Sequence, residues 1–281
     1  MNKTRKNAFT LVEIMVATAV MIVLVGIVIQ ITSDVLRVWN RSSGKLAANA
    51  QARIALELLT QDLETAVFRN NGQQWLRVEA EANVGTPTAG QTVALNLFSP
   101  ALDSPAGPGD ISAIAYRLAY APAYSGPNAP DTFALYRDIA TPQITFDTLM
   151  STGDSGPQKD LIVGFWAPGS VIQPENYLAG NIVDFKIFVY GVDPISGEIV
   201  TINDEDGDRE LTVPYIFGGN NASTIDPIYA EIALTVLTDE GLRILELDDP
   251  LAGTGYSDVS EIVEENGEVF IRRVNFSSSP L

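Results

Sequence analysis

The most constraining feature of this 281-residue chain is an apolar run near its N-terminus, Phe9 to Ile31, which contains a single charged residue, Glu13. As a helix rising 1.5 Å per residue, this run is about 34 Å long, which is enough to cross a bilayer. A charge at the centre of a bilayer costs about 2.5–3.5 kcal/mol on insertion scales, so an acidic residue in such a run is rarely accidental. The sequence therefore predicts a membrane-length helix whose one carboxylate has a specific role.

The eight residues before the apolar run carry three positive charges and no negative ones. A secretory signal peptide is cleaved after its apolar core, but Ile31-Thr32-Ser33-Asp34 does not form a small-x-small cleavage site there. We therefore expect 1–8 to be a basic leader, cleaved between Ala8 and Phe9, and the helix 9–31 to stay on the mature protein. The alternative is a plain membrane anchor with an incidental Glu13 near the membrane interface.

The segment Asn7-Ala8-Phe9-Thr10-Leu11-Val12-Glu13 resembles the leader-cleavage and methylation site of type IV prepilins and type II secretion pseudopilins. The resemblance implies that prepilin peptidase cuts between Ala8 and Phe9 and methylates the new amine of Phe9. It also implies that Glu13 pairs with the N-terminal amine of a neighbouring subunit, a cation that can offset the cost of burying a carboxylate. Ala8 stands where the family usually has Gly.

The helical pattern continues over 32–70 as an amphipathic extension, because apolar residues recur there at spacings of three and four. We expect this half to cover a sheet, with a coiled-coil partner site as the alternative. The helix is expected to loosen at Ser42-Ser43-Gly44 and to end at Asn70-Asn71-Gly72. The apolar rows are Leu46, Ala50, Ile54 and Leu58, then Ala55, Leu59, Leu63, Ala66 and Val67; Arg53, Glu57, Gln61, Asp62 and Glu64 take the wetter side.

Two further segments, 35–45 and 52–63, refine the resemblance. They are similar to J-type minor pseudopilins of type II secretion and to the prepilin-like proteins of the Verru_Chthon cassette. Shorter stretches at 178–185, 230–236 and 272–274 are similar to parts of the J-type head. The resemblance is strong over about the first 70 residues and diffuse afterwards, and it implies a long helix packed on an antiparallel sheet.

From Trp75 onwards, short extended runs are broken by turn residues, which predicts a β-rich head over 71–281. Strands joined without intervening helices favour an antiparallel sheet, and hence an α+β fold. The region 82–130, rich in Pro, Gly and Ala, is expected to be a loop-rich insertion, and Glu240–Leu247 a short helix or a strand. The predicted strands are Thr92–Phe98, Ile111–Tyr120, Phe133–Arg137, Leu161–Trp166, Ile182–Tyr190, Ile199–Ile202, Leu211–Tyr215, Ile228–Leu237 and Val269–Val274.

The composition excludes many enzyme classes, because the chain has no Cys and no His. Thiol nucleophiles, disulfides, Ser-His-Asp triads and ordinary zinc sites all need one of these residues. The formal net charge is −18, and it becomes −21 when the leader removes three of the 17 cations and leaves 14 against 35 acidic residues. Such a charge opposes binding to nucleic acid or anionic lipid. Acidic pairs such as Glu264-Glu265 are expected to be solvated faces and loop caps, so the sequence predicts a non-enzymatic protein.

The densest carboxylate cluster lies at Asn203–Glu210. An acidic loop with a glycine can supply several of the six to eight oxygen ligands of Ca²⁺, the one cofactor that the sequence suggests, although the EF-hand spacing is not met. The alternative is an acidic hairpin turn between Ile199–Ile202 and Leu211–Tyr215. The candidate calcium ligands are Asp204, Asp206 and Asp208.

The resemblance implies a minor pseudopilin that is cleaved and N-methylated by prepilin peptidase. Such a subunit waits in the inner membrane with its head in the periplasm. An inner-membrane assembly platform then joins it to other pilins or pseudopilins in a type II secretion or type IV pilus-like filament, as part of a tip complex. Two alternatives stay open: a major subunit of an adhesive surface filament, and a membrane-anchored ligand-binding module that never polymerises.

Overall fold

The computed structural model describes residues 11–69, 73–82, 91–100, 103, 108–126, 129–149, 168–204, 207, 209–219, 222–247 and 250–276. The expected leader at 1–8 and the predicted strand Leu161–Trp166 lie outside these residues. The chain divides into two compact units, one that ends at Leu46 and one that begins at Ala47. The described part of the first unit, from Leu11, is helical, whereas the second unit holds the rest of the same helix and two antiparallel sheets, so the α+β fold is confirmed.

Helix α1 extends from Leu11 to Glu64 and includes the expected weak point at Ser42-Ser43-Gly44. It ends before the predicted signal at Asn70-Asn71-Gly72, so the predicted end is wrong. The reason is a strand contact: the Val67 N–H donates to the Phe98 carbonyl at 2.8 Å, which draws the chain out of the helix.

The larger sheet has six strands in the order β5-β4-β3-β2-β1-β8, and all of its neighbours are antiparallel. Residues 112–119 of β3 are all buried, as expected for a central strand that is covered on both faces. The strands are β1 (Gln74–Ala82), β2 (Gln91–Ser99), β3 (Ser112–Pro122), β4 (Asp131–Ile139), β5 (Tyr177–Gly180) and β8 (Tyr215–Gly218).

The smaller sheet has four strands in the order β10-β9-β6-β7, also antiparallel. The sequence sets Phe185, Ile187 and Val189 of β6 against Lys186, Phe188 and Tyr190. The first three are fully buried and Lys186 and Tyr190 are half-buried, but Phe188 is only 1% exposed, so the alternation is confirmed except at Phe188. The strands are β6 (Ile182–Val192), β7 (Ile199–Thr201), β9 (Pro227–Leu237) and β10 (Gly267–Asn275).

The short helices are α2 (Pro142–Ile144), α3 (Pro168–Val171), α4 (Asp239–Leu245) and α5 (Val259–Asn266), with helical turns at Thr145–Leu149 and Pro174–Asn176. Helix α4 shows that Glu240–Leu247, predicted as a short helix or a strand, is helical as far as Leu245. Helix α5 begins with a capping arrangement: the Asp258 carboxylate accepts from the Glu261 N–H, and the Glu261 carboxylate accepts from the Ser257 N–H. Hydrogen bonds from the N–H and the hydroxyl of Ser257 lower the pKa of Glu261, whose carboxylate therefore caps the loop before α5.

The predicted set of strands needs correction in three places. Strands β1 and β5 were not among the predicted strands, and Leu211–Tyr215 is irregular up to the first residue of β8. The segment 82–130 is not an insertion beside the sheet, because β2 and β3 lie within it and occupy the middle of the larger sheet. A signal for β1 was present in the sequence, because its charged residues at 77, 79 and 81 alternate with apolar ones, a pattern typical of a strand with one polar face.

The buried face of α1 differs from the predicted one. Ala50 and Ile54, from the first predicted apolar row, are exposed, whereas Leu59 and Leu63 of the second row are buried. The buried face also carries small residues, which let the helix approach the sheets closely. Its buried apolar residues are Ala48, Ala52, Ala55, Leu56, Leu59 and Leu63, and they share one core with residues of both sheets.

The core predicts unequal effects for two neighbouring truncations in α1. Leu59→Ala should lower the free energy of unfolding by about 2–5 kcal/mol, because Leu59 is fully buried and its loss leaves a cavity. Ile54→Ala, at a residue that is 48% exposed, is the matched control and should change it by about 0.5 kcal/mol or less. Urea unfolding of the full chain in detergent measures both, and equal effects would contradict this assignment of the buried face.

Candidate functional site

The first candidate site is the apolar part of α1. Every side chain that the structure describes from Leu11 to Leu36 is exposed, and the large aliphatic ones are exposed by 47% or more. By length and composition this stretch can cross a membrane. Its threonines satisfy their own hydroxyls, since Thr18 donates to the Met15 carbonyl at 3.0 Å and Thr32 to the Val28 carbonyl at 2.8 Å. Such local bonding suits a helix in an apolar medium.

Glu13 lies in the first turn of α1, and its side chain is exposed. It is the one charged residue of the sequence between Leu11 and Ser33. Together with Ile14, Ala17, Thr18 and Met21 it lines a mostly apolar patch of the helix surface. A carboxylate in such surroundings is disfavoured unless a cation or hydrogen-bond donors reach it. The predicted cleavage and methylation residues, Ala8 and Phe9, lie outside the described residues.

The second candidate site is the acidic segment after β7. Both oxygens of Asp204 accept backbone hydrogen bonds, one from the Gly207 N–H at 2.8 Å and one from the Arg209 N–H at 3.1 Å. These bonds stabilise a loop in which Gly207 and Arg209 both have positive φ angles, 72° and 65°. Asp204 is therefore a turn-forming residue in this structure, with its carboxylate directed at backbone amides.

The other two candidate calcium ligands, Asp206 and Asp208, lie outside the described residues. Within the described ranges, no group of three or more carboxylates is arranged to hold a metal ion. Calcium binding by this loop stays a prediction.

The hairpin that the sequence offered as an alternative to calcium is wrong. Strand β7 pairs with β6, whereas β8 pairs with β1 in the other sheet. The acidic segment therefore connects two sheets. Asn203 explains the geometry, because its buried side chain accepts from the Val189 N–H at 2.9 Å and donates to the Ile187 carbonyl at 2.8 Å. This amide ends the β6–β7 pairing before the loop begins.

The third site is a buried ion cluster that the sequence analysis missed. The guanidinium of Arg137, on β4, donates to both oxygens of Asp62 from Nε at 2.8 Å and Nη2 at 3.1 Å. It also donates to both oxygens of Asp103, at 2.6 and 3.1 Å. The Tyr116 hydroxyl donates to Asp62 as well. Asp62 is only 1% exposed, so its placement on the wetter side of α1 is wrong.

The electrostatics of this cluster follow from burial and pairing. Burial, and then the charge of Asp62, raise the pKa of Tyr116 well above its ordinary value, so the phenol stays a hydrogen-bond donor. Burial lowers the pKa of Arg137, but hydrogen bonds to Asp103 and Asp62 outweigh it and leave a net increase. The hydrogen bond from Arg137 in turn lowers the pKa of Asp103. Arg137 and Asp103 are therefore both charged at neutral pH.

A cleft of about 320 Å³ lies beside this cluster and is lined by Asp103, Arg137, Asp138, Glu175 and Tyr177 among others. Burial and the charge of Glu175 raise the pKa of Asp138. The guanidinium of Arg137 already binds two carboxylates in bidentate fashion. It has little capacity left for an anionic ligand, so the arrangement is suited to joining α1 to the sheet.

A signal for this cluster was present in the sequence. Asp62 continues the spacing of Leu59, Leu63 and Ala66 and so places a carboxylate on the apolar face of α1. Arg137 continues the alternation of Phe133 and Leu135, and so places a cation on the buried face of β4. Two opposite charges on two buried faces indicate an internal ion pair, although the sequence alone does not say that they meet.

Comparison with known proteins adds little. No family model matches the chain, and no curated protein matches it. Among solved structures, the chain is similar to a type IV-like pilin from Thermus thermophilus, at 9% identity over 81% of this chain and 96% of that one, with a TM-score of 0.37. A similarity at that level supports no conclusion about function, and none is drawn from it.

The ion cluster predicts a strong asymmetry between its two carboxylates. Asp62→Asn should lower the free energy of unfolding by about 3–5 kcal/mol, because it leaves a buried guanidinium without half of its charge partners. Asp103→Asn is the matched control: the Asp103 side chain is 52% exposed, and its loss should cost about 1 kcal/mol or less. Urea unfolding at neutral pH compares the two variants. An equal decrease in the free energy of unfolding would show that the buried Asp62–Arg137 pair contributes no more to stability than the exposed Asp103–Arg137 pair.

Proposed function

We propose that this chain is a pilin-like structural subunit that is anchored in a membrane by the apolar part of α1 and is incorporated into a filament through the same helix. The observation that carries the proposal is the exposure of every described side chain from Leu11 to Leu36. An apolar surface of this size is not stable in water, so it needs a partner medium. Lipid supplies that medium before assembly, and neighbouring helices supply it within a filament.

Glu13 is the assembly residue in this proposal. It pairs with the N-terminal amine of a neighbouring subunit, as the resemblance of 7–13 to prepilins implies. Two observations support this role: the position of Glu13 in the first turn of α1, and the apolar side chains around it. An ion pair between subunits forms only when the two helices lie in the correct axial register, so it selects that register.

The finer parts of the proposal rest on the sequence signature. Prepilin peptidase cuts between Ala8 and Phe9 and methylates Phe9. Before assembly the subunit lies in the inner membrane with its head in the periplasm, where an assembly platform delivers it to the filament. The J-type resemblance favours a minor subunit in a tip complex with other pseudopilins. The absence of His and Cys from the sequence favours a structural over a catalytic role.

The processing proposal predicts the mature N-terminus. Mass spectrometry of the chain isolated from cells with a prepilin peptidase should find N-methylated Phe9 as the first residue. Deletion of the peptidase gene should leave the leader attached. A chain that still begins at Met1 in the presence of the peptidase would contradict the processing pathway.

The assembly proposal predicts that the charge of Glu13 matters more than its size. Glu13→Gln should reduce incorporation into sheared filaments about tenfold while leaving the amount in the membrane fraction unchanged, because the amide can accept a hydrogen bond from the amine but carries no charge to pair with it. Gln30→Ala, a change at another polar residue of the same apolar run, is the matched control and should leave incorporation at the wild-type level. Wild-type incorporation of Glu13→Gln would contradict the ion-pair role.

The same filament preparations separate the two alternatives. A minor subunit is present at a small fraction of the main component. High stoichiometry would support a major subunit instead. Absence from filaments, with no crosslink to another pilin-like chain, would support a membrane-anchored binding module.

A further inference from the structure

Strand β10 forms one edge of the four-stranded sheet. It pairs with β9 over nine consecutive residues in one unbroken register, from Gly267 opposite Leu237 to Asn275 opposite Tyr229. Edge strands of soluble proteins are usually short, bulged or interrupted by proline, because an unpaired strand edge is a template for another strand. Strand β10 has none of these features, and its charged side chains are the one protective device that remains.

The backbone of β10 presents alternate residues to the outside. The Phe276 N–H donates to the Ile228 carbonyl at 3.1 Å, and the Asn266 carbonyl accepts from the Thr238 N–H at 3.0 Å. Even-numbered residues therefore direct their backbone groups towards β9. By the alternation of an antiparallel ladder, the odd-numbered residues, including Val269 and Ile271, direct theirs away from the sheet.

The side chains of β10 are arranged symmetrically about Phe270. Val269 and Ile271 flank it and are 59% and 57% exposed. Glu268 and Arg272 lie one position further out, carry opposite charges and are both exposed. Neither of these two forms an ion pair with any residue that the structure describes, although the Glu268 carboxylate accepts a hydrogen bond from the Asn49 side chain of α1 at 3.4 Å. A sequence of this form, acidic–apolar–Phe–apolar–basic, is complementary to its own antiparallel copy.

We propose that β10 pairs with β10 of a second copy of this chain, in the antiparallel register that places Phe270 opposite Phe270. Because this register is two-fold symmetric, it contains two Val269–Ile271 pairs and two Glu268–Arg272 pairs between the copies. Val269 and Ile271 both have outward backbone groups, so they form the hydrogen-bonded pairs. Glu268, Phe270 and Arg272 form the non-hydrogen-bonded pairs, in which opposing side chains lie closest.

The register is specific, because the alternation of outward backbone groups allows one β10 strand to shift along the other only in steps of two residues. One shift places Phe270 opposite Arg272, and the other places Phe270 opposite Glu268. Both shifts separate the charged pairs. The register centred on Phe270 is thus the one that matches hydrogen bonds, apolar contacts and charges together.

Local charge also favours a second copy as the occupant. The whole chain carries a net charge of −18, so most of its surfaces repel one another. Strand β10 itself, however, carries one acidic residue, Glu268, and two cations, Arg272 and Arg273, and the Arg273 guanidinium lies 3.5 Å from the centre of the Tyr229 ring. The charges within two β10 strands therefore add no net acidic repulsion, although the exposed Glu264 and Glu265 of α5 lie just before the strand. This pairing does not depend on the proposed filament function.

Disulfide trapping tests the register, because the natural chain has no cysteine. Full-length Val269→Cys and Ile271→Cys chains are mixed in detergent and oxidised. The proposed register places these two Cα atoms about 5.5 Å apart, within disulfide range. The mixture should form covalent dimers, whereas each variant alone should form at least fivefold fewer. Ile195→Cys, at a residue that is 95% exposed, controls for random collision.

Charge reversal in the same cysteine backgrounds tests the pairing of Glu268 with Arg272. Glu268→Arg or Arg272→Glu, present in both chains, should lower the dimer yield about tenfold, because each places like charges opposite one another twice. Mixing Glu268→Arg chains with Arg272→Glu chains should restore the yield, as should the double reversal in one chain. The proposal is overturned if folded variants give no mixed disulfide, if a single-cysteine pool crosslinks as well as the mixture, or if the complementary mixture fails to recover.

Discussion

Helix α1 must satisfy two different environments with one continuous run of backbone hydrogen bonds, and the rest of the structure depends on how it does so. From Leu11 to Leu36 its side chains are exposed and nearly all apolar, whereas from Ala48 onwards a single face is buried. A helix can carry this change because its backbone groups are satisfied internally and only the side chains need to change. The sheets then pack against one face of the second half and leave the first half to an external partner.

The sequence was sufficient for features that depend on pattern and length. The apolar part of α1 follows from composition and length, the alternation in β6 holds except at Phe188, and the structure confirms the α+β fold. The limits are clearest at β1 and at the acidic segment after β7. Strand β1 was missed although its charged and apolar residues alternate, and the supposed hairpin was wrong because local turn signals cannot distinguish a hairpin from a connection between two sheets.

For the candidate sites, the sequence identified residues whose burial is unfavourable and can be recognised from their neighbours in the chain, such as the lone carboxylate of Glu13 in an apolar run. It did not identify the cluster of Asp62, Arg137 and Tyr116, because these residues come from three elements that are far apart in the chain. Their burial depends on the rotation of α1 and on the strand register, which no local pattern fixes. The sequence signal was one charged residue on the apolar face of α1 and one of opposite sign on β4. It indicates an ion pair only if these two faces contact each other in the fold.

The ion cluster has its largest effect on the rotation of α1 about its own axis, which decides the face of the helix that is buried. Hydrophobicity alone would allow the helix to bury the row of Ala50, Ile54 and Leu58 in place of the row with Leu59 and Leu63. A buried ion pair adds little net stability, but any arrangement that separates it leaves uncompensated charge in the interior. We infer as a hypothesis that Asp62 and Arg137 select one helix rotation: the larger residue Ile54 then stays 48% exposed, and the small residues Ala52 and Ala55 contact the core. A polar interaction would in this way determine which apolar residues form the core.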